Sequence, residues 1–476
     1  MKILIGTLFV AACLSLMYMH GGGTKKPPRG KVPPNIVLIN IDDLGFHDLG
    51  VYGSLLHQTP NVDGFKKESV SFRQAYANYP RCLPSRFAMM TATYPVKEFE
   101  GDLTAVKEEN NFIKKFAKAG YTSFYVGKWH LGSGKMGPVD FGFTRSFAAN
   151  DAGGVASHFY PYNTEKIINP MNTETAPVPD VEQKGKKGDF LFDLLTTELL
   201  SFIQNHDKAK PFFAVLAPYS VHSPFQAKEE DIERNKTEAR NLDFSGRPEF
   251  VTEGNGFTKM RQDDPVYAAM VENADWNVGR VLKAIEDSGL RENTIVVLTS
   301  DHGGMSNRGT VERRLATSNY PLRAGKGHLY EGGVRVPLMV RWPSRIKPAE
   351  DRQSTVALMD LMPTLLDMAI GDSLAQVDGK SFFRVLQKKA NWGDRPLFFY
   401  EKMARPALTG DFPGAALRTG NYKLLHFFND DRYELYDLAA DPSERHNLVG
   451  EEPQLARQMK QDLDQWLKAK TNHSIK

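Results

Sequence analysis

The chain has 476 residues, 41% of them hydrophobic and 25% charged, an ordinary globular composition with room for one large domain and a smaller one. Lys and Arg total 60 against 57 acidic residues, a formal charge of +3 that Lys25, Lys26, Arg29 and Lys31 alone account for. That balance excludes a nucleic-acid binder built on a basic face.

After Met1-Lys2, an apolar run from Ile3 to Met19 leads into the basic, proline-rich stretch Gly21 to Pro34. This is the pattern of an export signal (residues 1–22) followed by a linker (23–34). A membrane-spanning helix needs roughly 20 apolar residues. The run is broken by Gly6, Thr7 and Ser15, so cleavage is expected rather than a stable transmembrane anchor. Val10-Ala11-Ala12-Cys13 fits two readings: a lipoprotein box with a lipid anchor at Cys13, or a small apolar residue inside the signal. The protein is therefore expected to be exported, whether periplasmic, secreted or lipid-anchored. Only Cys13 and Cys82 are present, so loss of the signal leaves Cys82 alone, without a disulfide partner. A lone thiol in an oxidising compartment is a liability unless its chemistry is used.

Asn35 to Ile41 is a continuous β-branched run, the signature of a strand buried on both faces of a parallel sheet. Runs of the same kind are Ser123 to Val126, Phe212 to Leu216 and Thr294 to Leu298. Between them, Asn111 to Ala119 places Phe112, Ile113, Phe116 and Ala117 on one helical face, with Gly120 as cap. Asp189 to Gln204 and Pro265 to Ser288 are longer helices, the second closed by Gly289. The alternation predicts an α/β sandwich around a mostly parallel sheet, with ligands beyond the carboxyl ends of the strands. Past about Lys380 the pattern changes. Strands are predicted at Leu397 to Tyr400, Ala416 to Phe428 and Tyr433 to Tyr436, then an amphipathic helix from Pro453 to Lys468. The expected division is a catalytic domain over 35–380 and an α+β subdomain over 381–476. No internal repeat is visible, and no low-complexity segment beyond the linker.

Asp42 and Asp43 end the first predicted strand, and Asp301-His302-Gly303-Gly304 ends another. Adjacent packed carboxylates call for a cation, and hard divalent ions such as calcium take carboxylate oxygens, so a metal site is one reading and a solvated turn is the other. His302 is a softer donor than calcium prefers. Cys82-Leu83-Pro84-Ser85-Arg86 precedes a helical stretch, placing Cys82 near a helix N-terminus, where anions are favoured.

With Met90-Thr91, that segment resembles the signature of the type I sulfatases, formylglycine-dependent enzymes of the alkaline-phosphatase-like superfamily, carbohydrate sulfatases among them. Further matching blocks follow in family order: Asp42-Asp43-Leu44-Gly45, Gly127-Lys128-Trp129-His130-Leu131-Gly132, Ser300-Asp301-His302-Gly303, Gly325-Lys326-Gly327 and Tyr330-Glu331-Gly332-Gly333. Leu435-Tyr436-Asp437-Leu438, Asp441-Pro442 and Asn447-Leu448 complete the set, so the resemblance runs from Asn35 almost to the end. Two positions depart from the pattern: Ala92 stands where glycine usually follows threonine, and His47 where glycine is common.

The resemblance implies that Cys82 is oxidised to Cα-formylglycine by a formylglycine-generating or anaerobic sulfatase-maturating enzyme. It implies a calcium ion, in preference to magnesium, held by Asp42, Asp43, Asp301 and His302 with the modified Cys82 in its shell. Arg86, Lys128 and Lys326 then surround the sulfate, His130 is the base for the elimination step, and His222 is the acid that protonates the departing alcohol. Hydrated formylglycine carries two hydroxyls on one carbon, one to attack sulfur and one to expel sulfate, an exit that serine lacks. The expected activity is hydrolysis of a sulfate monoester on a sulfated carbohydrate. The alternatives are a phosphonate or phosphodiester hydrolase of the same superfamily, or an inactive sulfated-glycan binding protein. Candidates for touching substrate are His158, Tyr160 and Tyr162 in an aromatic loop and Arg313, Arg314 and Arg323 before Gly325.

Overall fold

The computed structural model describes residues 32–96, 102–132, 135–162, 177–390, 392 and 395–471. The predicted signal with Cys13, and residues 23–31 of the linker, lie outside the described residues. No helix among the described residues is long and apolar enough to cross a membrane.

An eight-stranded sheet runs, edge to edge, Ala349–Asp351, Val70–Phe72, Leu338–Arg341, Thr294–Ser300, Asn35–Ile41, Phe212–Ala217, Thr122–Gly127 and Arg145–Phe147. The strands from Thr294–Ser300 to Arg145–Phe147 are all mutually parallel, and Leu338–Arg341 is antiparallel to both of its neighbours. Asn35–Ile41 is the central strand, and all of it is buried. Its side chains alternate between two cores: Val37, Ile39 and Ile41 enter one, Ile36 and Leu38 the other. Helices Leu191–Asn205 and Pro265–Asp287 cover the first face, and Phe112–Lys118 and Leu361–Ile370 the second. Both faces being covered is why the central strands read as unbroken apolar runs.

The helix at Phe112–Lys118 is shorter than its pattern suggested. Asn111 caps it by accepting from the Ile113 and Lys114 amides at 3.1 and 3.2 Å. Phe112, Ile113 and Phe116 are buried, but Ala117 is exposed, because at 100° per residue it falls about 90° from the centre of the stripe they define.

The C-terminal sheet has four antiparallel strands in sequence order: Leu397–Glu401, Gly414–Thr419, Tyr422–Phe427 and Arg432–Asp437. The run read as a single strand from Ala416 to Phe428 is a hairpin. It folds back at Gly420, whose φ of 53° supplies the left-handed turn. One face packs on Met459, Leu463 and Leu467 of helix Pro453–Thr471. The other places Phe399, Ala416, Leu425 and Tyr436 against Tyr76, Ala88, Tyr330 and Val334, so this sheet shares a core with the segments that carry the site.

Candidate active site

Four neighbouring parallel strands, Thr294–Ser300, Asn35–Ile41, Phe212–Ala217 and Thr122–Gly127, end on the same side of the sheet. Asp301-His302, Asp42-Asp43, His222 and Lys128-His130 lie in the loops that follow them. This edge is where open α/β sheets bind ligands. Cys82 is the first residue of helix Cys82–Thr91 and is 9% exposed. One atom each from Asp42, Cys82, Asp301 and His302 fall within 4.8 Å of one another, and Asp42, Asp43 and His222 form an overlapping group.

Close backbone approaches allow this convergence. A Cβ on Gly127, φ 96°, would lie 2.1 Å from the Ala217 carbonyl oxygen, and Gly303 would meet the Gly332 carbonyl at 1.8 Å. Neither position tolerates a side chain.

Charge pairing orders the pocket. Arg86 donates from Nε to Asp301 Oδ2 at 2.9 Å, from Nη2 to Asp42 Oδ1 at 3.1 Å, and from Nη1 to the Lys128 carbonyl at 3.0 Å. Lys128 Nζ donates to Asp42 Oδ2 at 2.7 Å and to the Gly153 carbonyl at 2.6 Å. Lys326 Nζ grips both oxygens of Asp43, at 2.7 and 3.0 Å. Arg86 and Lys128 are essentially unexposed, and Lys326 is 7% exposed. For Asp43, burial acts to raise the pKa, but Lys326, His222 and His302 outweigh it and hold the carboxyl below its usual range.

The same cations act on Cys82. Burial opposes ionisation, yet Lys128, Lys326 and a hydrogen-bonding His130 outweigh it and hold the thiol well below the usual range. His130 has a left-handed backbone, φ 55°, and its Nδ1 has no hydrogen-bond partner. His222 Nδ1 faces the Ser223 carbonyl at 2.7 Å, which fixes the proton on that nitrogen and turns Nε2 toward Asp43 Oδ2 at 3.9 Å. Burial, then Lys326, push His222 below the ordinary histidine value, against the pull of Asp43.

The residues fit a divalent cation. His302 is wholly buried with Nδ1 on the Gly303 carbonyl at 2.9 Å, while its Nε2 has no hydrogen-bond partner and lies 3.2 Å from Asp43 Oδ1. A buried nitrogen with no hydrogen-bond partner, set among carboxylate oxygens, is a donor arrangement that suits a divalent cation. Three carboxylates balance Arg86, Lys128 and Lys326, so a divalent ion would make the pocket net positive and suited to an anionic ester.

Several candidates for touching substrate are otherwise engaged. His158 is fully buried with Nε2 at 3.0 Å from the His222 carbonyl oxygen, so it braces the His222 loop. Tyr162 is buried as well, while Tyr160 is partly exposed. Arg314 forks onto Asp264 at 2.8 and 2.7 Å, and Arg323 onto Glu253 at 2.8 Å twice. Of the two departures from the family pattern, His47 holds the Tyr52 carbonyl at 2.7 Å through Nδ1 and, mainly by burial, is pushed down to about 4. Ala92 ends the signature helix in the left-handed conformation, φ 57°, that glycine usually supplies.

Some supporting groups give no sequence signal. The Gly153 carbonyl that accepts from Lys128 is backbone. The Ser85 hydroxyl, which donates to the Asp301 carbonyl at 2.5 Å, is visible only as one letter of a motif. Arg81, which precedes Cys82, carries no motif signal of its own; its Nη2 donates to Thr409 Oγ1 at 3.0 Å and Asp411 Oδ2 at 2.6 Å.

The Sulfatase family model matches residues 34–371, and the model for the N-sulphoglucosamine sulphohydrolase C-terminal region matches 324–472. N-acetylgalactosamine-6-sulfatase of Mus musculus is 30% identical, over 79% of this chain and 70% of its own length. Arylsulfatase A of Homo sapiens is 30% identical, over 88% and 84%. Among solved structures, Ps i-CgsB in complex with k-i-k-neocarrahexaose matches with a TM-score of 0.70 at 27% identity, covering 91% of this chain and 92% of that one.

Proposed function

This chain belongs to the sulfatase family of sulfuric ester hydrolases, and from that premise we propose that it removes sulfate from a sulfated carbohydrate or polysaccharide with a nucleophile made from Cys82. The observation that carries this reading is the meeting of Cys82 with Asp42, Asp301 and His302 within 4.8 Å, inside a ring of Arg86, Lys128 and Lys326. The names of the relatives support a sugar substrate: an N-acetylgalactosamine-6-sulfatase, and a protein solved with a neocarrahexaose.

In this reading a maturating enzyme converts the Cys82 side chain to formylglycine, whose hydrate offers one hydroxyl to attack sulfur and a second to expel sulfate. Asp42, Asp43, Asp301 and His302 would hold the divalent ion, calcium in our reading, which would supply Lewis-acid polarisation to the nucleophile and the sulfate group. Lys128 and Lys326 stand on opposite carboxylates, Asp42 and Asp43, so their ammonium groups can turn part of their field to sulfate oxygens between them. Arg86 ties Asp42 to Asp301 and fixes the spacing of the acidic strand ends. His222 presents Nε2 to the pocket, and in its protonated form it donates that proton to the departing alcohol. His130, beside the Cys82 side chain with a free Nδ1, takes up the proton released as sulfate leaves. We also read the chain as exported, with the catalytic unit over 35–380 and the remainder as a subdomain buttressing it.

The test is a panel of defined sulfated oligosaccharides with product analysis, using protein produced together with a formylglycine-forming enzyme, alongside matched aryl sulfate and aryl phosphonate esters. Desulfation of sugars, with sulfate preferred over phosphonate, is expected. Preference for the phosphonate would replace this reading with phosphonate hydrolysis, and binding without turnover would replace it with a glycan-binding role.

A further inference from the structure

We propose that Arg313 and Arg405 form a second anion subsite beside the catalytic pocket, which takes an additional sulfate or carboxylate of the substrate; this rests on the sulfatase reading above. The argument begins with Arg313 among its neighbours. Arg314 and Arg323 each fork onto a carboxylate. Arg313 has none: among the described residues its only hydrogen-bond partner is the Met305 sulfur, a weak neutral acceptor. Arg405 has no ion pair among the described residues either; its backbone amide, not its guanidinium, faces Asp411. The nearby carboxylate of Asp411 is taken up by Arg81.

Hydrogen bonds tie the segments that carry the two arginines to the catalytic loops. Gly309 and Val311 donate their amides to the carbonyls of Leu408 at 3.1 Å and Ala407 at 2.8 Å, which docks the Arg313 loop on the segment after Arg405. Asn307 Nδ2 bridges the Thr409 carbonyl at 2.7 Å and the Lys326 carbonyl at 3.1 Å. Thr409 in turn accepts from Arg81, the residue before Cys82. Burial lowers the Arg313 pKa, with Asp43 of the pocket opposing and Arg81 and Arg405 adding to the shift. A part-buried guanidinium whose only hydrogen-bond partner is a neutral sulfur is under-satisfied, the solvent-exposed Arg405 sits on the adjoining segment, and a planar fork suits sulfate or carboxylate oxygens.

The experiment compares kcat/KM of the matured wild-type enzyme with Arg313→Ala, Arg405→Ala and Arg313→Lys on three saccharides: monosulfated, disulfated, and monosulfated with a neighbouring uronate. The preference for a doubly anionic substrate over the monosulfated one should fall about tenfold or more in both alanine variants, through KM, with Arg313→Lys retaining part of it. The saccharide whose advantage collapses identifies sulfate or carboxylate as the second group. An equal loss on all three substrates, or no change in preference, would overturn the subsite. Calorimetric binding of the same saccharides to Cys82→Ser protein, with and without Arg313→Ala, reads the subsite independently of turnover. An inactive wild type that still loses doubly anionic binding in Arg313→Ala would sink the hydrolase reading alone.

Discussion

Lys128 Nζ donates to Asp42 Oδ2 at 2.7 Å across 86 positions of sequence, and neither side chain is exposed. Removing one member of such a pair leaves the other charge buried without its partner, at about 3–5 kcal/mol. Because Asp42 keeps Arg86, Lys128→Ala is expected to cost about 3 kcal/mol in urea unfolding and to abolish most turnover. A stability loss below about 1 kcal/mol would show that the pair is not what holds Asp42 in place.

Dialysis against a chelator should lower both activity and unfolding temperature, and calcium should restore them. An ion present at about 100 times its dissociation constant adds about 2.7 kcal/mol to the folded state. Asp301→Asn should lose most of the calcium-dependent stabilisation, because Asp301 is one of the buried acidic donors at this site. An unfolding temperature indifferent to chelator and calcium would argue against a bound ion.

His222 should matter in proportion to how poor the leaving group is. For a sugar sulfate, whose alcohol leaves badly without a proton, His222→Ala is expected to cost about 100- to 10,000-fold in kcat. For a nitrophenyl sulfate the cost should be under about tenfold. The free-enzyme histidine is pushed below 6.5 by burial and Lys326. Since the acid must carry its proton, kcat/KM on the sugar substrate should decline as pH rises past a midpoint below that value. Equal losses on both substrates would assign His222 to structure.

Glu401 gives a pH dependence of stability. Burial, with Asp411 adding to it and Arg81 opposing, raises its carboxyl from 4.5 to about 7. An acid with a raised folded-state pKa contributes stability that is complete below the unfolded value and is lost as pH rises through the folded one. Relative to Glu401→Gln, the wild type should therefore lose about 1 kcal/mol between pH 6 and pH 8. Parallel stability profiles in urea unfolding would contradict the assignment.

The central strands and their acidic ends are legible in the sequence because burial on two faces leaves a distinctive unbroken apolar run, as in Asn35 to Ile41. The C-terminal hairpin was hidden because Gly420 and Asn421 interrupt two strands that are both largely apolar, and periodicity does not register a tight turn. Cys82 and the lysines are recognisable as motifs, but their electrostatic state is not. It depends on Lys128 and Lys326 reaching the thiol from distant loops. Arg313 could not be told from Arg314 and Arg323 by sequence, because the difference lies in Asp264 and Glu253, acids that only folding brings near two of the three.

The account depends most on the chemical state of residue 82. Trypsin cuts after Arg81 and Arg86, releasing Cys82-Leu83-Pro84-Ser85-Arg86 as one short peptide. Its mass, measured on protein shown to hydrolyse sulfate esters, should correspond to an aldehyde in place of CH2SH, in proportion to specific activity across preparations of differing maturation. Fully active protein whose peptide retains an unmodified, alkylatable thiol would contradict the proposed nucleophile.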